Sequence, residues 1–342
     1  MTSDPYKTPT ALEPIVEFKP AFWLPDGHSQ TLWRKFAGAK PVAHRRQRLD
    51  LSDGDFIDLD WAEPEPGDQT NEEIMVLIVH GLCGCSGSSY VLALQQELMK
   101  RGMTSVAMNL RGCSGEINRK ARTYHSGVSD DLAEVYGKLT EKYPNKCIGV
   151  VGYSLGANIL LKWLGEGGKH DDSSGEISAV AVSTPFTLAE CSRAMLSGGP
   201  RIYGRYFTRR LLESFLTKKQ QFQQHGNQEE LDKLRQLEGI ETISNIWEFD
   251  DRVTAPLHGF ADAQDYYQQC SSINYLSDIR ANTLLIQSAN DPMIPLSALP
   301  DPDELPATVT LELSRKGGHV GFIAGLRKTW LEPRIADFFL TR

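Results

Sequence analysis

Gly152-Tyr153-Ser154-Leu155-Gly156 stands directly after the apolar stretch 147–151 and directly before 155–164, where Leu155, Ile159, Leu160, Trp163 and Leu164 share one helical face. A Gly-x-Ser-x-Gly sequence set between a strand and a helix is the pattern of a nucleophile elbow, a sharp turn that presents the serine hydroxyl. Such a turn strains the serine backbone, and residues without side chains two before and two after it relieve the crowding. Gly152 and Gly156 fill those places. The helix start then aims the Leu155 N–H and the helix dipole at the oxyanion that forms when Ser154 attacks a carbonyl.

Serine is a weak nucleophile at neutral pH, so this reading needs a histidine base and a carboxylate, in the chain order Ser, Asp, His for this architecture. Asp291 follows the apolar stretch 283–289 in Asn290-Asp291-Pro292, and His319 follows 308–313 in Lys316-Gly317-Gly318-His319. Both fall where the carboxyl ends of parallel strands gather a site. Asp262, Asp265, Asp301 and Asp303 compete for the acid, but none ends a core strand. His80, His125 and His258 compete for the base; His80 precedes the serine and reads as a structural hydrogen-bonding residue. The second oxyanion donor is expected in the loop after 74–79, from the backbone N–H of Leu82, with Cys83 as second choice.

Working outward, six short apolar stretches (74–79, 104–110, 147–151, 177–183, 283–289 and 308–313) alternate with amphipathic ones (88–100, 128–143, 155–164 and 326–340). That rhythm predicts an α/β fold, a mostly parallel central sheet flanked by helices. The alternating stretch 56–61 predicts a half-exposed antiparallel strand at the sheet edge. After Thr184-Pro185 about a hundred residues pass before the next buried strand, far beyond an ordinary connection. Stretches 188–196, 203–216 and 229–237 have helical spacing, so residues 186–275 are read as a helical cap inserted between the two halves of the main domain, 51–185 and 276–342. Residues 1–50, with prolines at 14, 20, 25 and 41, are read as an N-terminal strap packed on that domain.

The 342 residues carry 36 Lys and Arg against 44 Asp and Glu, a net charge of −8, which leaves no basic excess to neutralise a phosphate backbone. Nucleic acid is not an expected partner. No stretch reaches the ~18 apolar residues of a membrane helix, and the first residues lack the features of an export signal, so a cytoplasmic location is the expectation. The six cysteines are then expected as free thiols, and Cys83-Gly84-Cys85 has no second pair at zinc spacing, so neither a metal nor a cofactor is expected.

Four further segments extend the pattern: Gly27-His28-Ser29-Gln30-Thr31-Leu32, Asn109-Leu110-Arg111-Gly112-Cys113-Ser114-Gly115, Tyr124-His125-Ser126-Gly127 with Asp130-Asp131-Leu132, and Thr254-Ala255-Pro256-Leu257-His258-Gly259-Phe260. With the elbow, they make the chain resemble the α/β-hydrolase superfamily and, within it, the YheT-like branch of predicted esterases. The resemblance spans nearly the whole chain. It implies a Ser154, Asp291, His319 triad and hydrolysis of carboxylic esters, and eukaryotic relatives in this branch are associated with acylglycerol or phospholipid substrates. The expected activity is that of a serine esterase or lipase-like hydrolase acting through an acyl-serine on a small-molecule ester, which includes lipids.

Two alternatives stay beside it. One is acyl transfer to an alcohol or lysolipid, because His125 and Asp130 match a His-x-x-x-x-Asp spacing, although Asp130 equally suits a helix start. The other is a non-catalytic binding module on the same fold. Arg201, Arg205, Arg209 and Arg210, interleaved with Tyr203, Tyr206, Phe207 and Leu211, read as a surface helix with aromatics packed beneath, and the same pattern allows a weak contact with an anionic membrane surface.

Overall fold

Five of the eight main strands arise where the chain runs without charge, rich in β-branched and aliphatic residues, which lets both faces be buried. The computed structural model describes residues 18–64, 71, 73–167, 177–326 and 328–341. Strands β1 (Arg45–Asp50), β2 (Phe56–Ala62), β3 (Ile74–Val79), β4 (Thr104–Asn109), β5 (Cys147–Tyr153), β6 (Ser178–Val182), β7 (Asn282–Ser288) and β8 (Val309–Ser314) form one sheet in the order 1-2-4-3-5-6-7-8. From β4 to β8 every pairing is parallel, while β2 runs antiparallel to both β1 and β4.

Along β3 the side chains alternate between two cores. Met75, Leu77 and Val79 join Val135, Leu139 and Leu160 on one face, while Val76 and Ile78 join Leu94, Leu98 and Phe339 on the other. The helices in chain order are α1 (Gly27–Phe36), α2 (Ser89–Lys100), α3 (Ser129–Lys142), α4 (Leu155–Gly165), α5 (Leu188–Ala194), α6 (Arg201–Gln224), α7 (Gln228–Arg235), α8 (Ile246–Phe249), α9 (Ala255–His258), α10 (Ala263–Cys270) and α11 (Leu331–Leu340). Thus α3 and α4 cover the first face, and α2 and α11 the second.

Three expectations are corrected. The strand at 56–61 is neither half-exposed nor at the edge: every residue of β2 is buried, between β1 and β4. Its aspartates face cross-strand arginines instead of water, Asp60 taking two bonds of 2.8 Å from Arg46 and Asp58 two of 2.9 Å from Arg48. Burial pushes the Asp60 carboxyl up, but hydrogen bonds from Arg46, Ser86 and Asn109 outweigh it and hold it at about 2. The sheet therefore starts inside the segment read as a strap, with β1 as its edge, and that segment also contains α1, whose N-terminus Asp26 and Ser29 close with a capping box. Residues 1–17 of the strap lie outside the described residues. Finally, the helix expected over 326–340 begins only at Leu331, because Gly325, at φ +54°, reverses the chain into a short hairpin of β9 (Ile323–Ala324) and β10 (Lys328–Thr329).

Between β6 and β7 the chain is mainly helical, α5 to α10. It has an apolar centre in Phe215, Phe222, Leu231, Leu234, Phe249 and Val253, which also packs on Ala121. The arginines 201, 205, 209 and 210 lie on exposed positions of α6, while Tyr203, Phe215 and Phe222 are turned inward. No helix among the described residues is long and apolar enough to cross a membrane.

Candidate active site

Ser154 sits between β5 and α4 at φ +53°, a conformation that costs an L-residue energy and persists where the surroundings enforce it. Its N–H donates to the Val182 carbonyl at 2.8 Å, locking the turn to β6. The two glycines of the elbow are required by close approach. A Cβ at Gly152 would lie 2.5 Å from the Gly156 carbonyl oxygen, and one at Gly156 would collide with the Val79 and His80 carbonyls at the end of β3.

The three sequence-derived candidates meet. Asp291 Oδ2 lies 2.7 Å from His319 Nδ1, and His319 Nε2 lies 2.9 Å from Ser154 Oγ. With Nδ1–H donating to the carboxylate, Nε2 is the acceptor that faces the serine hydroxyl. Asp291 is held in turn by the Met293 and Ile294 N–H groups on Oδ1, at 2.8 and 3.2 Å. The Leu82 and Leu155 N–H groups have no hydrogen-bond acceptor among the described residues, and both residues line the cavity that contains Ser154 and His319. The second choice fails, since the Cys83 N–H already donates to Tyr124 Oη at 2.9 Å.

Several supporting residues escape a reading of the sequence because they act across long separations. Thr31 Oγ1 accepts the His319 N–H at 2.8 Å, Asn290 Oδ1 accepts from Gly317 and Gly318 at 3.0 and 3.1 Å, and Ser183 Oγ accepts from Val320 at 3.0 Å. Asn290 precedes Asp291 and Thr31 lies within Gly27-His28-Ser29-Gln30-Thr31-Leu32, yet nothing local announces either role. Backbone strain marks the same places: among the described residues, the non-glycine residues with positive φ are Cys83, Ser154, Ser183, Val320 and Phe322, four of them in or beside these loops.

His80 is wholly internal. Its Nε2 accepts the Leu110 N–H at 3.1 Å and its Nδ1 donates to the Gly81 carbonyl at 2.8 Å, and burial pushes its pKa down to about 4. His125 and Asp130 are not joined: His125 Nδ1 accepts the Gly127 N–H at 3.1 Å, while Asp130 pairs with Arg122 at 2.6 Å. Asp262 and Asp301 cap short helical turns. Among the described residues no cluster of His, Cys, Asp or Glu is placed to hold a metal, and the six cysteines are free thiols.

The family described as alpha/beta hydrolase fold matches residues 74–326. The Escherichia coli (strain K12) protein named "Putative esterase YheT" is 38% identical over 329 residues, covering 95% of this chain and 93% of that protein. The chain belongs to the α/β-hydrolase family, in its YheT-like branch. Another relative of this α/β-hydrolase is human Phospholipase ABHD3, 27% identical over 314 residues that cover 90% of this chain and 74% of that protein. In structure it is similar to the Pyrococcus furiosus esterase Pf2001, with a TM-score of 0.53 at 15% identity over 88% of this chain and 90% of that one, a likeness of fold.

Proposed function

We propose that this α/β-hydrolase cleaves carboxylic esters through an acyl-serine intermediate. The observation that carries the reading is the unbroken chain from Asp291 through His319 to Ser154 Oγ, with bonds of 2.7 and 2.9 Å. His319 Nε2 takes the serine proton as Oγ attacks the ester carbonyl, and Asp291 stabilises the imidazolium that results. The oxyanion lodges against the N–H groups of Leu82 and Leu155, which have no other acceptor among the described residues. His319 then returns its proton to the departing alcohol, and water, activated by the same imidazole, frees the acid and restores Ser154.

The names of the relatives, an esterase and a phospholipase, agree with this chemistry. Residues 186–275 act as the cap that walls the substrate cavity, because Leu188, Met195, Phe207 and Ile246 line it together with Ser154 and His319. The cavity's mainly apolar lining suits a small or medium ester, including a lipid. The exposed arginines of α6 leave a weak contact with an anionic membrane surface as an expectation, read by co-sedimentation with anionic vesicles.

The test is incubation with a fluorophosphonate followed by peptide mapping, alongside release of 4-nitrophenol from short acyl esters. Labelling confined to Ser154 that abolishes ester hydrolysis is the expected result. An unlabelled Ser154 in folded protein that hydrolyses no ester overturns the reading and favours a binding module.

A further inference from the structure

The cavity that holds Ser154 and His319 shares Leu82, Ser126, Leu155, Ile246 and Asp250 with an adjoining second chamber, which touches neither of those two catalytic candidates. In the proposed reaction His319 must reach the leaving oxygen, so the leaving group lies in the first cavity. With the carbonyl oxygen between the Leu82 and Leu155 N–H groups, the remaining substituent on the carbonyl carbon points away from His319, toward the second chamber.

That chamber is not a plain hydrocarbon slot. Asn118 is 1% exposed, and its Nδ2 is committed to Asp55 Oδ2 and to the Lys120 and Arg122 carbonyls at 2.6, 3.1 and 2.8 Å, yet its Oδ1 has no hydrogen-bond donor among the described residues. The same wall is open beside that oxygen because residue 112 is glycine: a Cβ there would come 3.3 Å from Asn118 Oδ1. At the junction stands Asp250, 8% exposed, the first residue of a π-helical turn (Asp250–Thr254) of a kind often found at functional sites. Its carboxylate accepts only hydroxyls, from Tyr267 at 2.6 Å and Thr254 at 2.7 Å, and no arginine or lysine among the described residues pairs with it. Burial raises its pKa to about 6. A buried acceptor without a donor, in the same chamber as a buried carboxylate that takes hydrogen bonds from hydroxyl groups, asks for a ligand that brings a donor.

We infer, on the basis of the esterase reading above, that the second chamber receives the acyl chain of the ester and that Asp250 and Asn118 select acyl chains bearing a hydroxyl group. A cationic acyl chain is disfavoured because Arg111 and Lys218 already line this chamber. A plain alkyl chain would leave Asn118 Oδ1 buried and unpaired, which is how polar sites reject analogues lacking a donor. Asp250 and Asn118 are specificity-determining residues and take no part in proton transfer.

The experiment compares kcat/KM for 4-nitrophenyl hexanoate, 3-hydroxyhexanoate, 6-hydroxyhexanoate and 6-aminohexanoate, each divided by the ester's spontaneous hydrolysis rate. At least one hydroxyl ester is expected to exceed hexanoate by about tenfold, and Asp250→Asn is expected to bring that ratio down toward one, whatever its effect on the absolute rates. Should Asp250→Asn fail to fold, Asn118→Leu is read by the same ratio. Equal rates for hexanoate and both hydroxyl esters in the wild type overturn the inference and leave the esterase reading standing. Preference for the amino ester overturns it in favour of a cation site. Absence of all hydrolysis, with Ser154 unlabelled by fluorophosphonate, takes down the esterase reading and this inference with it.

Discussion

The elbow between β5 and α4 and the helical segment between β6 and β7 both face Ser154, but they are held in opposite ways. The elbow is fixed by backbone: positive φ at Ser154, a bond from its N–H to Val182, and glycines at which helix and strand touch. The helical segment is fixed by polar side chains that clasp a single loop of the sheet domain. Lys218 donates to the carbonyls of Lys120, Ala121 and Arg122, Glu230 accepts the Ala121 N–H, His258 bonds to Thr123, and Tyr266 Oη accepts the Ser126 N–H. The elbow's shape thus rests on backbone, whereas the wall of the proposed substrate chamber rests on side chains whose charge state matters. Damage to the first region should stop the reaction, and damage to the second should loosen or retune it.

The largest effects should come from the first region. Ser154→Ala and His319→Ala are each expected to lower kcat by roughly 10⁶-fold, because nucleophile and base act as one unit. Both variants should keep the wild-type circular dichroism spectrum. Asp291→Asn should cost roughly 10⁴-fold, since it removes the negative charge from Nδ1 and permits the wrong tautomer. Wild-type turnover in a folded Ser154→Ala protein would end the proposed mechanism, whereas full activity in Asp291→Asn would only reassign the acid.

The same contrast explains what the sequence made legible. Runs such as 74–79 and 147–151 declare themselves because a buried parallel strand must be apolar on both faces, and the elbow declares itself because its glycines are separated from the serine by one residue each. By chain order after successive strands, Asp291 and His319 were also within reach. Burial of β2 was not, because Asp58 and Asp60 look solvent-facing until Arg46 and Arg48 of β1 are seen opposite them. Nor were Thr31 and Asn118 readable, since their roles depend on partners brought together only by the fold.

In the second region, Lys218→Met should leave three carbonyls of the 120–122 loop without their ammonium donor, at a cost of about 1–3 kcal/mol. Amide hydrogen exchange should lose protection across α6 and α7 while β3, β5 and α4 stay protected. Fluorophosphonate should still label Ser154, because the elbow does not lean on the clasp. Uniform loss of protection through the sheet would show that the two regions unfold as one and would break the comparison drawn above.

Acid should reveal the smallest difference. His80, beside the elbow, has its pKa pushed down to about 4 by burial. In the clasp, His125 is lowered by burial and by the neighbouring His258, Arg122 and Lys162, and burial lowers His258 despite its bonds to Thr254 and Thr123. All three are depressed, so the sign is common to them: above the ordinary histidine value of about 6.5 they are neutral in both folded and unfolded chains and cost nothing. As pH falls below it, the unfolded chain takes up protons that the native protein refuses, and stability drops by about 1.4 kcal/mol per pH unit for each group until its folded pKa is passed. His80→Gln keeps an acceptor for Leu110 and a donor for Gly81 but cannot titrate. Urea unfolding measured from pH 7 to pH 5 should therefore show a slope reduced by up to one proton in His80→Gln, the remaining slope being the net of the clasp histidines and of Asp250, whose raised pKa of about 6 acts in the opposite direction. An unchanged slope would mean that His80 takes up its proton in the native protein, and the histidine pH sensitivity would then belong to the clasp.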